Sequence, residues 1–109
     1  MTTKTAIVAG PDEDDLGDAL EAQDLEVTRL DGVVTGDALR GADVDGAALF
    51  VLTDVGEATS IAVAKELNPD VRVVVYARES LPEFAAAQAD LAVDPELLEA
   101  DVVAEELAG

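Results

Sequence analysis

Short apolar runs take turns with stretches of helical spacing along the whole chain. KTAIVA (4–9) is rich in β-branched residues and predicts a strand that stops at Gly10-Pro11. Asp12 then stands where it can cap a helix carrying Leu16, Ala19 and Leu20 on one face. LEVTRL (25–30) predicts a second strand, ended by Asp31-Gly32, and TGDALRGA (35–42) suits a short helix. GAALFVLT (46–53) and VRVVVYA (71–77) are continuous apolar runs, as expected of strands covered on both faces. Between them, EATSIAVAKEL (57–67) predicts a helix closed by Asn68-Pro69. SLPEFAAAQA (80–89) spaces Ser80 and Glu83 as a capping box. LAV (91–93) is a short last strand, and PELLEADVVAEELA (95–108) aligns Leu97, Ala100, Ala104 and Leu107 on one helical stripe.

Strands that alternate with helices at this spacing predict a parallel sheet with helices on both faces. The expectation is a three-layer α/β domain, Rossmann-like or flavodoxin-like, over residues 1–109. Its five-stranded parallel sheet has order 2-1-3-4-5, with right-handed crossovers. Ligands of such folds bind at the carboxyl ends of the strands, near the switch point between strands 1 and 3. The loops there are residues 10–15, 31–37, 53–57 and 77–80.

Composition narrows the chemistry. The 109 residues include no Cys and no His, which removes thiolate chemistry and the commonest general base. Acidic residues outnumber basic ones by 25 to 6, a net charge of −19, so nucleic acid and anionic membrane are not expected partners. The acids are scattered through every segment, Lys occurs only twice, and the apolar residues are small. This composition resembles that of haloarchaeal proteins, whose surface repulsion is screened by molar salt. No apolar run is long enough to cross a bilayer. MTTKTAIVAG lacks the features of a signal peptide, so a cytoplasmic location is expected.

ALFVLTDVGEATSIAVAKELNPDVRVVVYARES, followed by AAAQADLAVDPELL, resembles the N-terminal nucleotide-binding domain of regulators of potassium conductance and uptake, the RCK or Trk type. Thr53, Asp54, Glu57, Asn68, Pro69, Ala89, Asp90, Pro95 and Glu96 stand at the matching positions, and VTGDAL (34–39) is similar to that family's Gly-Asp-Ala turn. The resemblance implies a nucleotide crevice formed by Gly10, Asp31, Asp37, Thr53, Asp54 and Glu57. The departures from the family pattern are large. Its GxGxxG glycines fall at Val8, Gly10 and Glu13, so one survives, and Asp12 to Asp15 put carboxylates where a pyrophosphate would lie. Too few residues separate Asp31 from the helix at 35–42 for a further parallel crossover, and half of the adenosine pocket would go with the lost strand. Asp31 stands at the ribose-binding position, or simply makes a turn with Gly32. Thr53 and Asp54 either line the crevice or cap the next helix, the more common use of such residues. A bound cofactor is not expected; a small nucleotide is the ligand to test.

A fold of this order is also that of phosphoacceptor receiver domains. Those need an acidic cluster after strand 1, an Asp after strand 3, a Thr or Ser after strand 4 and a Lys before Pro after strand 5. Asp12 to Asp15 and Asp54 meet the first two requirements. Ala77 replaces the hydroxyl residue, and Asp94 precedes Pro95 where the cation belongs. Acyl-phosphate chemistry needs that positive charge, so an active receiver is not expected, and Mg²⁺ binding by the acids is expected to be weak. With no nucleophile–base pair, the expected function is a non-catalytic regulatory or ligand-sensing domain. The alternatives are an interaction module without a ligand, or an accessory subunit of a nucleotide-biosynthetic, CTP synthetase-like enzyme. A homodimer through Ile61, Val63, Phe84 and the closing helix is expected.

Overall fold

The computed structural model describes residues 4–108. The predicted strands form as β1 (Thr5–Ala9), β2 (Glu26–Leu30), β3 (Leu49–Leu52), β4 (Arg72–Tyr76) and β5 (Leu91–Val93). All pair in parallel, in the order β2-β1-β3-β4-β5. The helices between them are α1 (Leu16–Ala22), α2 (Gly36–Gly41), α3 (Ser60–Leu67), α4 (Glu83–Ala86) and α5 (Ala100–Ala108).

Because strand side chains point alternately to the two faces, each central strand feeds two cores. Ile7, Ala9, Phe50, Leu52, Val73 and Val75 pack on one face with Leu39, Ile61 and Ala64 of α2 and α3. Ala6, Val8, Leu49, Val51, Val74 and Tyr76 pack on the other with Leu16 and Leu20 of α1 and Val103, Ala104 and Leu107 of α5. Every residue of β3 is buried, as its unbroken apolar run implies. Strand β2, at the sheet edge, keeps no residue fully buried.

Four sequence expectations change in the structure. Ser80 is exposed and caps nothing: α4 starts only at Glu83, after Pro82, with no side-chain cap. A capping box would need Leu81 helical, and the residue before proline is driven to extended backbone. The helix expected from 57 starts at Ser60. Residues Val55–Glu57 instead form a 3-10 turn, whose Gly56 amide donates to the Asp54 carboxylate at 2.9 Å. The closing helix starts at Ala100, and Leu97 is 80% exposed instead of lying on its stripe. Asp94 folds the preceding segment into a turn, its carboxylate accepting from the Glu96 amide, while Tyr76 donates its hydroxyl proton to the Leu98 carbonyl. Ile61, expected on a dimer face, is fully buried in the domain's own core, whereas Phe84 is exposed.

Candidate functional site

The loops after β1, β3 and β4 meet at the carboxyl edge of the sheet, around the switch point. They enclose an open cleft of about 300 Å³ lined by residues 11–14, 53–54 and 76–79. Its walls combine acids (Asp12, Glu13, Asp14, Asp54, Glu79) with Tyr76 and Arg78.

Each acid on the inner wall has a partner within the protein. Asp12 accepts hydrogen bonds from the amides of Leu16 and Gly17, 2.9 Å each, and so caps α1 from outside its first turn. The expected cap therefore forms, reaching over Asp15, which takes a left-handed conformation at φ 59°. Gly17 makes the approach possible: a Cβ there would stand 2.7 Å from both Asp12 Oδ2 and Arg29 Nη2. Asp14 receives a two-pronged contact from Arg78, Nη1 to Oδ2 at 3.0 Å and Nη2 to Oδ1 at 2.9 Å. Arg78 Nε donates to Glu96 at 2.8 Å. The hydrogen bonds from Arg78 hold the Asp14 carboxyl below its ordinary range, against a smaller opposing effect of burial. The bonds to Asp14 and Glu96 raise the Arg78 guanidinium further above its own. Burial, then the negative charge of Asp14, pushes the Tyr76 phenol up.

The six residues singled out for nucleotide binding do not converge. Gly10 and Thr53 are in contact, but as packing: a Cβ at Gly10, whose φ is +102°, would lie 2.6 Å from Thr53 Oγ1. The Thr53 hydroxyl donates to the Ala9 carbonyl at 3.1 Å and ties β3 to β1. Asp54 caps the 3-10 turn beside it. Glu57 accepts from the Val34 amide at 2.7 Å and pins the loop between β2 and α2. Asp37 points to solvent, 96% exposed, and pairs with Arg40 one turn on. Asp31 is exposed beyond the end of β2, followed by Gly32 at φ +75°. Gly10, Thr53 and Asp54 border the switch point, whereas Asp31, Asp37 and Glu57 do not line the cleft.

Arg78 was missed by the sequence reading. Its signal was present: it is one of only six basic residues and directly follows Ala77 at the end of a buried strand. The resemblance residues Asn68 and Asp90 also have structural explanations. Asn68 donates to the carbonyls of Val44 and Ala47, and Asp90 accepts from Lys65 Nζ and the Val73 amide at 2.8 Å each. Among the described residues no buried side-chain nitrogen or oxygen lacks a hydrogen-bond partner.

Metal binding needs a converging donor set, and here the residues do not fit one. Asp12 and Asp14 each have both oxygens engaged, Asp54 has one, and among the described residues no group of three Asp, Glu, His or Cys side chains has a metal-binding arrangement.

Element order and sheet topology together define a flavodoxin-like α/β domain. The chain belongs to a family of unknown function, DUF7126, whose model matches residues 6–107. No curated protein matches the sequence. Solved structures share the fold at low identity. An orphan response regulator of H. pylori superposes with a TM-score of 0.70 at 14% identity, over 98% of this chain and 96% of its own. A Burkholderia pseudomallei response regulator, described with a phosphorylated aspartic acid, calcium ion and citrate, gives 0.67 at 19% identity, over 95% and 70%. A protein of the same organism described as pilus assembly-related gives 0.68 at 16% identity, over 97% and 90%.

Proposed function

We propose that this protein is a non-catalytic regulatory domain of receiver fold that works without phosphorylation, through contacts with a partner protein. One observation carries the reading. At the carboxyl edge of the sheet, the groups that acyl-phosphate chemistry needs are replaced. Ala77 offers no hydroxyl, Asp94 stands before Pro95 where a cation belongs, and the Asp54 carboxylate is engaged by the Gly56 amide. Two of the structural relatives are described as response regulators and one as pilus assembly-related, so the fold alone does not choose among functions.

A second reading, a nucleotide-sensing module of potassium-regulator ancestry, is supported by the sequence resemblance after residue 46. Against it, Thr53 packs on Gly10 where a pyrophosphate would approach, and carboxylates line the loop. Thermal-shift measurements in molar KCl separate the two. The proposed function expects no shift with NAD, ATP, AMP or CTP, and none with Mg²⁺ plus beryllofluoride, a mimic of the acyl phosphate. A saturable shift with a nucleotide would favour the second reading; one with beryllofluoride would restore the phosphoacceptor.

A further inference from the structure

We infer that the link between Asp31 and Gly32 is a modification site of the folded protein, at which the backbone isomerises spontaneously from aspartate to isoaspartate. The inference is independent of the proposed function.

The reaction needs one carboxyl group and the backbone amide that follows it. The Gly32 nitrogen attacks Asp31 Cγ and an N–Cγ bond forms. The amide proton and the carboxyl hydroxyl leave together as one water, and a five-membered succinimide ring remains. Water then adds back. Opening at Cγ restores aspartate. Opening at the main-chain carbonyl carbon leaves the chain running through Cβ and Cγ, with a free α-carboxylate. One water leaves and one returns, and nothing is oxidised or reduced. Ring closure needs the two groups to meet in the right orientation. It also needs an uncrowded nitrogen, and glycine, with no Cβ, crowds it least.

The chain has two Asp-Gly pairs, and the fold treats them oppositely. Asp45-Gly46 lies in the 3-10 turn Val44–Gly46. Its Gly46 amide donates to the Asp43 carbonyl at 3.0 Å, and the Gly46 carbonyl accepts from the Thr5 hydroxyl at 3.3 Å. Asp31 and Gly32 are both exposed, and a Cβ built on Gly32 would meet nothing within 4 Å. Among the described residues no hydrogen bond reaches the Gly32 amide or the Asp31 carboxylate. An amide bonded within the fold reacts only after local opening, whereas an unbonded one reacts from the native state. The related route through asparagine is closed: the single one, Asn68, precedes Pro69, whose nitrogen has no proton to lose.

The position gives the modification a structural effect. The Leu30 carbonyl accepts from the Gly10 amide at 3.0 Å, and the Val34 amide is held by Glu57. Isomerisation adds one atom to the main chain between these two fixed points, and so slackens the connection from the edge strand to α2.

Ageing the folded protein in molar KCl at physiological temperature tests the inference. Trypsin cuts after Arg29, Arg40 and Lys65, so the two pairs fall in separate peptides, residues 30–40 and 41–65. Electron-transfer fragmentation identifies isoaspartate in each. A purified isoaspartate methyltransferase with S-adenosylmethionine counts it in the undigested protein. Isoaspartate should accumulate at Asp31 at least about tenfold faster than at Asp45, and the two rates should converge in a sample aged in urea, where nothing protects Gly46. Asp31→Glu keeps the charge at an exposed position but would need a six-membered ring, so it should lose most of the methyl-accepting capacity. Equal rates at the two sites of the folded protein, a faster rate at Asp45, or undiminished methylation of Asp31→Glu would overturn the inference. A rate ratio unchanged by urea would assign the difference to flanking residues instead of the fold, and would overturn it equally.

Discussion

A methyl group added at Gly10 would stand 2.6 Å from the hydroxyl oxygen of Thr53 and 3.0 Å from the Asp54 backbone nitrogen. The first loop and the third are in van der Waals contact at the switch point, where related folds keep a ligand crevice. Gly10→Ala must push them apart and also hold φ at +102°, which an L side chain resists. The expected loss is about 2 kcal/mol, measured by urea unfolding. A wild-type midpoint would mean that the loops do not pack as described.

Asn68 carries a similar weight under the opposite edge. Its amide group donates to Val44 and Ala47, and its Oδ1 accepts from the Asp70 amide. Asn68→Ala leaves buried carbonyls without donors and should cost about 2 kcal/mol. Asn68→Asp should fare no better, since a carboxylate cannot donate to the two carbonyls. Chemical denaturation of both variants checks this.

The pair Lys65–Asp90 sets an acid limit. Burial pushes the Asp90 carboxyl up, but hydrogen bonds from Lys65 and the Val73 amide outweigh it and hold it below its ordinary value. Asp14 is lowered as well, by Arg78. A carboxyl whose folded pKa is lowered stabilises the fold above its unfolded pKa, and the contribution is lost as pH falls through the folded value. The stability gap between wild type and Asp90→Asn should therefore be constant near neutrality and close below about pH 4. Denaturation series across that window measure it; a gap that widens on acidification would reverse the sign.

Val73 is wholly buried between Phe50's strand and the edge strand β5. Val73→Asp places an uncompensated charge in the core and should unfold the domain, at a cost of several kcal/mol. Retention of a native circular dichroism spectrum would show that β4 is misassigned.

Salt should act on the whole surface at once. Arg29, Arg40, Lys65 and Arg78 already hold acidic partners, yet 25 acids face only 6 basic residues. At low ionic strength the surplus repels across the molecule, and unfolding relieves it. The melting temperature should rise steeply from low salt to molar KCl. A flat series would return the acidic surface to the candidates for cation or partner binding.

The alternation of apolar runs in β1, β3 and β4 specified the sheet and its order, because a strand buried on both faces has few other ways to hide its side chains. Asp12 as a cap was equally local, since it depends on amides four and five residues along the chain. Local rules failed where a distant group competed. Asp94 and Tyr76 hold the segment that the apolar stripe from Leu97 suggested as helix, and Glu57 is drawn from its expected helix to the Val34 amide. The site was least legible of all. Nothing in the order of residues says that Arg78 reaches Asp14, 64 positions away, or that Thr53 closes on Gly10. Both follow from parallel strands that bring the ends of β1, β3 and β4 to one edge of the sheet. The sequence by itself determined which segments are buried and the surplus of negative charge; only the tertiary structure decided which carboxylates face one cation and which serve as caps.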